Sequence, residues 1–204
     1  QYHKNWLEAN YPDRFAFEEA RDGFDYLYDI DRLADLPGKK LHAKRNHIHR
    51  FEESYPDWTV EEITAANLAE CEAMDQEWNR LYRNRDGEET PAEQETLRDE
   101  SQALSRAFRH YDELGLKGIL IRAGGKVVAF TMGSRINEDT FDVHFEKAYS
   151  EIQGAYPIVN REFARWVRDH VPGIRYLNRE DDMGVEGLRK AKESYYRGFV
   201  HNRG

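Results

Sequence analysis

The chain has 204 residues, 34% charged and 39% hydrophobic, with a net charge of −9 and Cys71 as its one cysteine. That length holds one ordinary core, and the aromatic content excludes disorder by low hydrophobicity. A lone cysteine excludes an internal disulfide framework and fits the cytoplasm, no run of about 18 apolar residues offers a membrane span, and the acidic balance argues against wholesale coating of a polyanion.

In chain order, "HKNWLEANY" reads as a short helix, and "RFAFEEA" and "FDYLYDI" as short strands parted by Arg21-Asp22-Gly23. Alone these pieces bury no core, so they must dock on the remainder or on further sequence. A helix is predicted over residues 38–55, because Leu41, Ile48, Phe51 and Tyr55 fall within roughly 80° of one another. Lys40, Lys44 and His47 lie on or beside that stripe. Either their stems cover the rim of a core, or their charges line a pocket. "WTVEEI" alternates as a strand, and two charged helices follow over 65–85 and 91–114, the second opened by Thr90-Pro91. "KGILIRA", Gly124-Gly125 and "KVVAFTMGSRI" make a hairpin. After Asn137-Glu138-Asp139 comes "TFDVHFEKA", with Phe141, Val143 and Phe145 alternating against Asp142, His144 and Glu146. "EIQGAYPIVNREFARWVRDHV" supplies a helix, "GIRYLNRE" a strand, and 184–196 a final helix. The class is mixed α/β (α+β), with a mainly antiparallel sheet flanked by helices.

Three places invite chemistry. In "EIQGAYP", Gln153, Gly154, Ala155 and Tyr156 lead into a helix whose first amides and macrodipole suit a phosphate. Asn160 lies one turn on, and an ordinary small-residue turn is the plainer reading. In "NREDDMGVEGLRKAKESYYRGF" Asp182 is an N-cap, supported by Asp181 and Glu180. Gly187 costs about 1 kcal/mol against alanine inside a helix and so implies a close approach. Lys192 and Tyr195 flank that helix's apolar stripe, where an ammonium can hold an anion and a phenol can donate a proton. His144 and Glu146 share one face of their strand, as an acid–base pair or as a solvated face. His42, His47 and His49 show no metal spacing, no metal is expected, and no nucleophile, Walker or dinucleotide motif occurs.

The order of hairpin, third strand, Gln-Gly-Ala turn, helix, strand ending in Asn, and helix ending Tyr-Tyr-x-Gly-Phe resembles the GNAT acyltransferase plan. More specifically, "FDYLYDIDRLADLPGKKLHAKRNHIHRFEE" (24–53), "FDVHFEKAYSEIQGAYPIVNREFARWV" (141–167) and "LNREDDMGVEGLRKAKESYY" (177–196) resemble a bacterial family grouped with the C-terminal domain of phosphatidylglycerol lysyltransferases. The resemblance implies tandem GNAT-like halves, with residues 1–37 the end of a first half and 38–204 a second, complete one. It implies transfer of an acyl or aminoacyl group, with aminoacyl-tRNA or acyl-coenzyme A as donor. Lys44, Arg45 and His47 would meet tRNA or an acidic headgroup at a membrane surface. Glu180, Asp181 and Asp182, with Asn178 before them, would hold an amine, and Gln153, Gly154, Ala155, Tyr156 and Asn160 the donor's phosphates. Lys192 and Tyr195, with His144 and Glu146, would serve the transfer itself. The alternatives are a coenzyme A-dependent N-acetyltransferase and a GNAT-like module that binds an anion without chemistry.

Overall fold

The structure is a computed structural model describing residues 24–83, 91–180, 190, 192–195 and 199–202. Among the described residues seven strands form one sheet in the order β2-β3-β4-β5-β6-β1-β7. They are β1 (Phe24–Asp29), β2 (Thr59–Glu62), β3 (Lys117–Ala123), β4 (Lys126–Arg135), β5 (Thr140–Ala148), β6 (Tyr176–Asn178) and β7 (Phe199–Asn202). Every neighbouring pair is antiparallel except β5 and β6.

Local chemistry explains the elements. Gly124 and Gly125 both take positive φ, 56° and 74°, as the two-residue turn between β3 and β4 requires. The Asn137 carboxamide oxygen accepts from the amides of Asp139 and Thr140 and turns β4 into β5. After β1, Asp29 caps a six-residue helix, α1 (Ile30–Asp35), by accepting from the amides of Asp31 and Arg32. Leu36 ends α1 in the left-handed conformation at φ 48°, and Pro37 follows. No sequence signal separates this helix from the strand before it, because "FDYLYDI" runs straight into it. A 3-10 turn (Lys39–Leu41) opens α2 (His42–Ser54), and Leu41, Ile48 and Phe51 are buried as the stripe predicts. Three longer helices among the described residues are α3 (Leu68–Arg83), α4 (Pro91–Arg109) and α5 (Ala155–His170).

The sheet separates two cores. On one face α1, α2 and α5 bury Tyr26, Tyr28, Leu33, Ile48, Phe51, Phe141, Phe163 and Val167. On the other, α3 and α4 bury Met74, Leu104, Phe108, Leu120, Phe130 and Met132. Cys71 lies in this second core, where burial pushes its thiol up to about 12. Among the described residues no helix is long and apolar enough to cross a membrane.

Two features position the site. First, β5 and β6 pair for only three residues, Thr140–Tyr176, Phe141–Leu177 and Asp142–Asn178. Beyond them β5 continues beside β4, while residues 179 and 180 stay bonded to the backbone of Tyr26 on β1. The sheet therefore opens into a wedge. Second, the β4–β5 ladder slips, with Met132 opposite Phe145 but Gly133 opposite Val143. His144 is the extra residue, so the expected strict alternation through β5 breaks there. Phe141 and Val143 face α5 before the bulge, and Glu146 reaches an α5 side chain after it.

Candidate functional site

The wedge carries a group of charged side chains on the α5 side. Glu146 Oε1 accepts from Asn160 Nδ2 at 3.1 Å and from Arg179 Nη2 at 2.9 Å. Asn160 also donates to the Tyr156 carbonyl at 3.1 Å, so the first turns of α5 fix its amide and aim it at Glu146. Arg179 is half-buried beside aromatic rings, its guanidinium carbon 5.9 Å from the Tyr28 centroid and 5.4 Å from that of Tyr195. Its Nη1 is buried and finds no hydrogen-bond partner among the described residues.

Lys44 enters from α2. Its ammonium stands 4.4 Å from the Tyr195 ring centroid, a cation–π contact. Burial lowers its pKa from the ordinary lysine value, the Arg179 charge lowers it further, and Glu146 opposes both. Tyr195 is only 4% exposed, and burial raises its phenol well above the ordinary value against the pull of Arg179. At neutral pH it is an O–H donor and not a phenolate. Its ring meets Tyr28 edge-on at 6.3 Å, while Tyr28 Oη donates to the Lys192 carbonyl at 2.7 Å.

Other predicted residues hold the frame. The Lys192 ammonium donates to the carbonyls of Arg179 at 2.5 Å and Glu180 at 3.3 Å, tying down the segment that carries Arg179. Arg45 donates to the carbonyls of Leu36 and Gly38, bracing the link from α1 to α2. His47, exposed, meets Gln153 Nε2 through Nδ1 at 3.3 Å. Gly154 (φ 87°) opens α5 without a side-chain cap, and a Cβ there would lie 2.3 Å from the His47 carbonyl oxygen. The close approach that this glycine permits is thus made by α2. Ala155 is buried and its amide donates to the Ile152 carbonyl. Burial pushes the Tyr156 phenol up to about 12.

Near the start of the wedge a second group gathers. His144 Nδ1 lies 3.6 Å from Asp142 Oδ2 and 3.4 Å from Glu180 Oε1, and its Nε2 lies 2.8 Å from Ser134 Oγ. Asn178, buried, donates to Asp25 Oδ2 at 2.9 Å and accepts from the Glu180 amide. The expected partnership of His144 with Glu146 is therefore replaced by two separate ones, because the bulge reverses the strand's facing between them. Asp181, Asp182 and Gly187 lie outside the described residues. The sequence reading missed Arg179, Asp142 and Tyr28. Only the interrupted pairing after "YLN", which no local pattern announces, brings Arg179 to Glu146.

A short parallel pair diverging around charged groups, inside an otherwise antiparallel sheet with helices on both faces, places the chain among GNAT-like folds. The C-terminal domain of a protein from Agrobacterium fabrum described as a putative lysylphosphatidylglycerol synthetase shares that fold at 15% identity, with a TM-score of 0.58 over 87% of this chain and 57% of that one. The family model for the C-terminal region of phosphatidylglycerol lysyltransferases matches residues 3–196, and the chain belongs to that family. It is 43% identical to a conserved protein of unknown function from Bacteroides thetaiotaomicron, with a TM-score of 0.85 over 97% of this chain and 63% of that one. An uncharacterised protein of Mycoplasmoides gallisepticum is 25% identical over 202 residues, 97% of this chain and 59% of the relative. The chain thus spans about three-fifths of the length of these relatives.

Proposed function

We propose that this protein transfers an aminoacyl or acyl group from an activated ester on an anionic donor, such as aminoacyl-tRNA, to an amine or hydroxyl acceptor in the wedge. One observation carries the reading: two half-buried cations, Lys44 and Arg179, converge on the Tyr195 ring beside the Glu146 carboxylate, with Arg179 Nη1 buried and unpartnered among the described residues. A buried donor left without an acceptor costs about 1–3 kcal/mol or more when charged, so an incoming anionic oxygen is stabilised there.

Each group has a step to perform. Arg179 and Lys44 stabilise the oxyanion that forms when the acceptor attacks the ester carbonyl. Glu146, aimed by Asn160, receives the proton that the attacking amine or hydroxyl gives up. The Tyr195 phenol donates a proton to the departing ester oxygen, and regains one afterwards from solvent or from Glu146. The ester C–O bond breaks as the new C–N or C–O bond forms, and no covalent enzyme intermediate is involved. The packing of α2 over Gly154 favours this donor class over coenzyme A, whose pyrophosphate would by the resemblance rest at that turn.

The test is transfer of radiolabelled aminoacyl groups from aminoacyl-tRNA to phosphatidylglycerol vesicles or free amines. Tyr195→Phe and Glu146→Gln are expected to lower the rate by about 10²–10⁴-fold while keeping donor affinity within a few-fold. Full transfer by both variants would overturn the assignment.

A further inference from the structure

The Asp142–His144–Glu180 group is not used by the transfer chemistry, and it has the makings of a different site. Three side chains each offer one ligand atom, and these atoms all lie within 4.8 Å of one another. In a tetrahedral site with bonds of about 2.1 Å, neighbouring ligand atoms stand about 3.4 Å apart. The two separations from His144 Nδ1, 3.4 Å to Glu180 and 3.6 Å to Asp142, match that spacing.

The tautomer fits as well. For Nδ1 to offer a lone pair, the proton must reside on Nε2, and Ser134 Oγ lies 2.8 Å from Nε2 as its acceptor. An outer hydrogen bond of this kind orients metal-ligating histidines and fixes their tautomer. The backbone cooperates, because the bulge at His144 parts it from Glu146 and leaves it beside Asp142. Asp142 is buried, 6% exposed, whereas His144 and Glu180 are half-buried at the rim, which leaves coordination positions open to water or a ligand.

We propose that Asp142, His144 and Glu180 bind a divalent first-row transition ion, zinc foremost, through Asp142 Oδ2, His144 Nδ1 and Glu180 Oε1. One imidazole with two carboxylates suits zinc or manganese better than the all-oxygen shells of calcium and magnesium. The ion bridges β5 to the segment following β6, across the point where the strands part. It also fixes Glu180 and, one residue earlier, Arg179, which joins this site to the anionic pocket. Glu180, expected to hold an amine, is thereby assigned to a metal.

The experiment uses the full chain after chelator treatment and dialysis. Zinc is titrated calorimetrically, bound metal is counted by elemental analysis, and cobalt is added as a spectroscopic stand-in. The expected result is close to one equivalent of zinc, with visible cobalt bands whose intensity marks a four-coordinate site. Glu180→Gln, at the rim, and His144→Ala are each expected to weaken binding at least tenfold, with folding of both checked by circular dichroism. His110→Ala, an exposed histidine paired with Glu113 and in neither site, is expected to bind zinc as the unsubstituted chain does. No uptake, or uptake unaltered in a folded Glu180→Gln protein, would overturn the proposal and leave an imidazole paired with two carboxylates. Neither readout involves transfer activity, so this result and that of the transfer assay are independent.

Discussion

Two predictions belong to single residues at the anionic pocket. Glu146 is the carboxylate that Arg179 bonds, and both are mostly buried. Glu146→Leu leaves the guanidinium buried without it and is expected to destabilise the fold by about 3–5 kcal/mol. Urea unfolding measures this, and a loss below about 1 kcal/mol would contradict the pairing. Lys44 supplies the pH dependence. Its folded pKa is lowered from 10.5 by burial and by Arg179. Between that lowered value and the unfolded value the folded chain binds fewer protons, so Lys44's contribution to stability rises with pH across that window. Affinity for an anion behaves oppositely. It is full below the folded pKa and falls as pH rises through it, whereas a Lys44→Gln protein is expected to show a flatter affinity profile over the same range.

At the scale of elements, two glycines test how the frame is built. A Cβ on Gly133 would fall 1.8 Å from the Asp142 carbonyl oxygen, at the β4–β5 slip. A Cβ on Gly154 would meet both a positive φ and the backbone of α2. Gly154→Ala is expected to cost at least about 2 kcal/mol, from left-handed strain and overpacking together. Thermal unfolding checks it, and an unchanged Tm would mean that α2 does not press on this turn. The elements were legible in the sequence to different degrees. Gly124-Gly125 announced the hairpin, and the Leu41–Ile48–Phe51 stripe announced α2, because each signal is local. The placement of Lys44 beside that stripe left open whether its stem covers the rim of a core or its charge lines a pocket, because a helical stripe gives a side chain's direction and not what stands opposite it. The bulge at His144 was not legible, since "TFDVHFEKA" alternates without a break and the slip comes from the pairing of β5 with β4. Arg179 stayed hidden for a similar reason: its partner lies 33 residues earlier, across an opening that exists only in the sheet.

The whole molecule is one sheet with unlike faces, and each face carries its own electrostatics. On the α5 face, Arg168 pairs with Asp31 and Asp35, and Arg165 donates to the Ala34 carbonyl, latching α1 to α5. On the α3–α4 face, Lys147 is buried against Glu100 at 2.9 Å and lies 3.8 Å from the Trp78 ring centroid. Asp75 is buried beside them, with one oxygen bonded to Asn79 and the other without a hydrogen-bond partner among the described residues. Burial raises its carboxyl to about 6, against the pull of Lys147. The folded chain therefore binds more protons than the unfolded one between pH ~4 and ~6. Asp75's contribution is most favourable below that window and is lost as pH rises through 6. Asp75→Asn is expected to stabilise the protein by on the order of 1–3 kcal/mol at pH 7.5 and by almost nothing at pH 4. Denaturant titrations at the two pH values read this directly, and an equal effect at both would contradict a titrating Asp75.

The proposed transfer requires that the wedge between β5 and β6 receive an activated aminoacyl donor. The most direct measurement is a pair of calorimetric titrations on the full chain, one with a non-hydrolysable aminoacyl-adenosine mimic bearing a phosphate and one with coenzyme A, repeated on Lys44→Gln. Binding of the aminoacyl mimic alone, weakened at least tenfold by Lys44→Gln, is the predicted result. Binding of coenzyme A alone, or of the mimic with equal strength in both proteins, would contradict it.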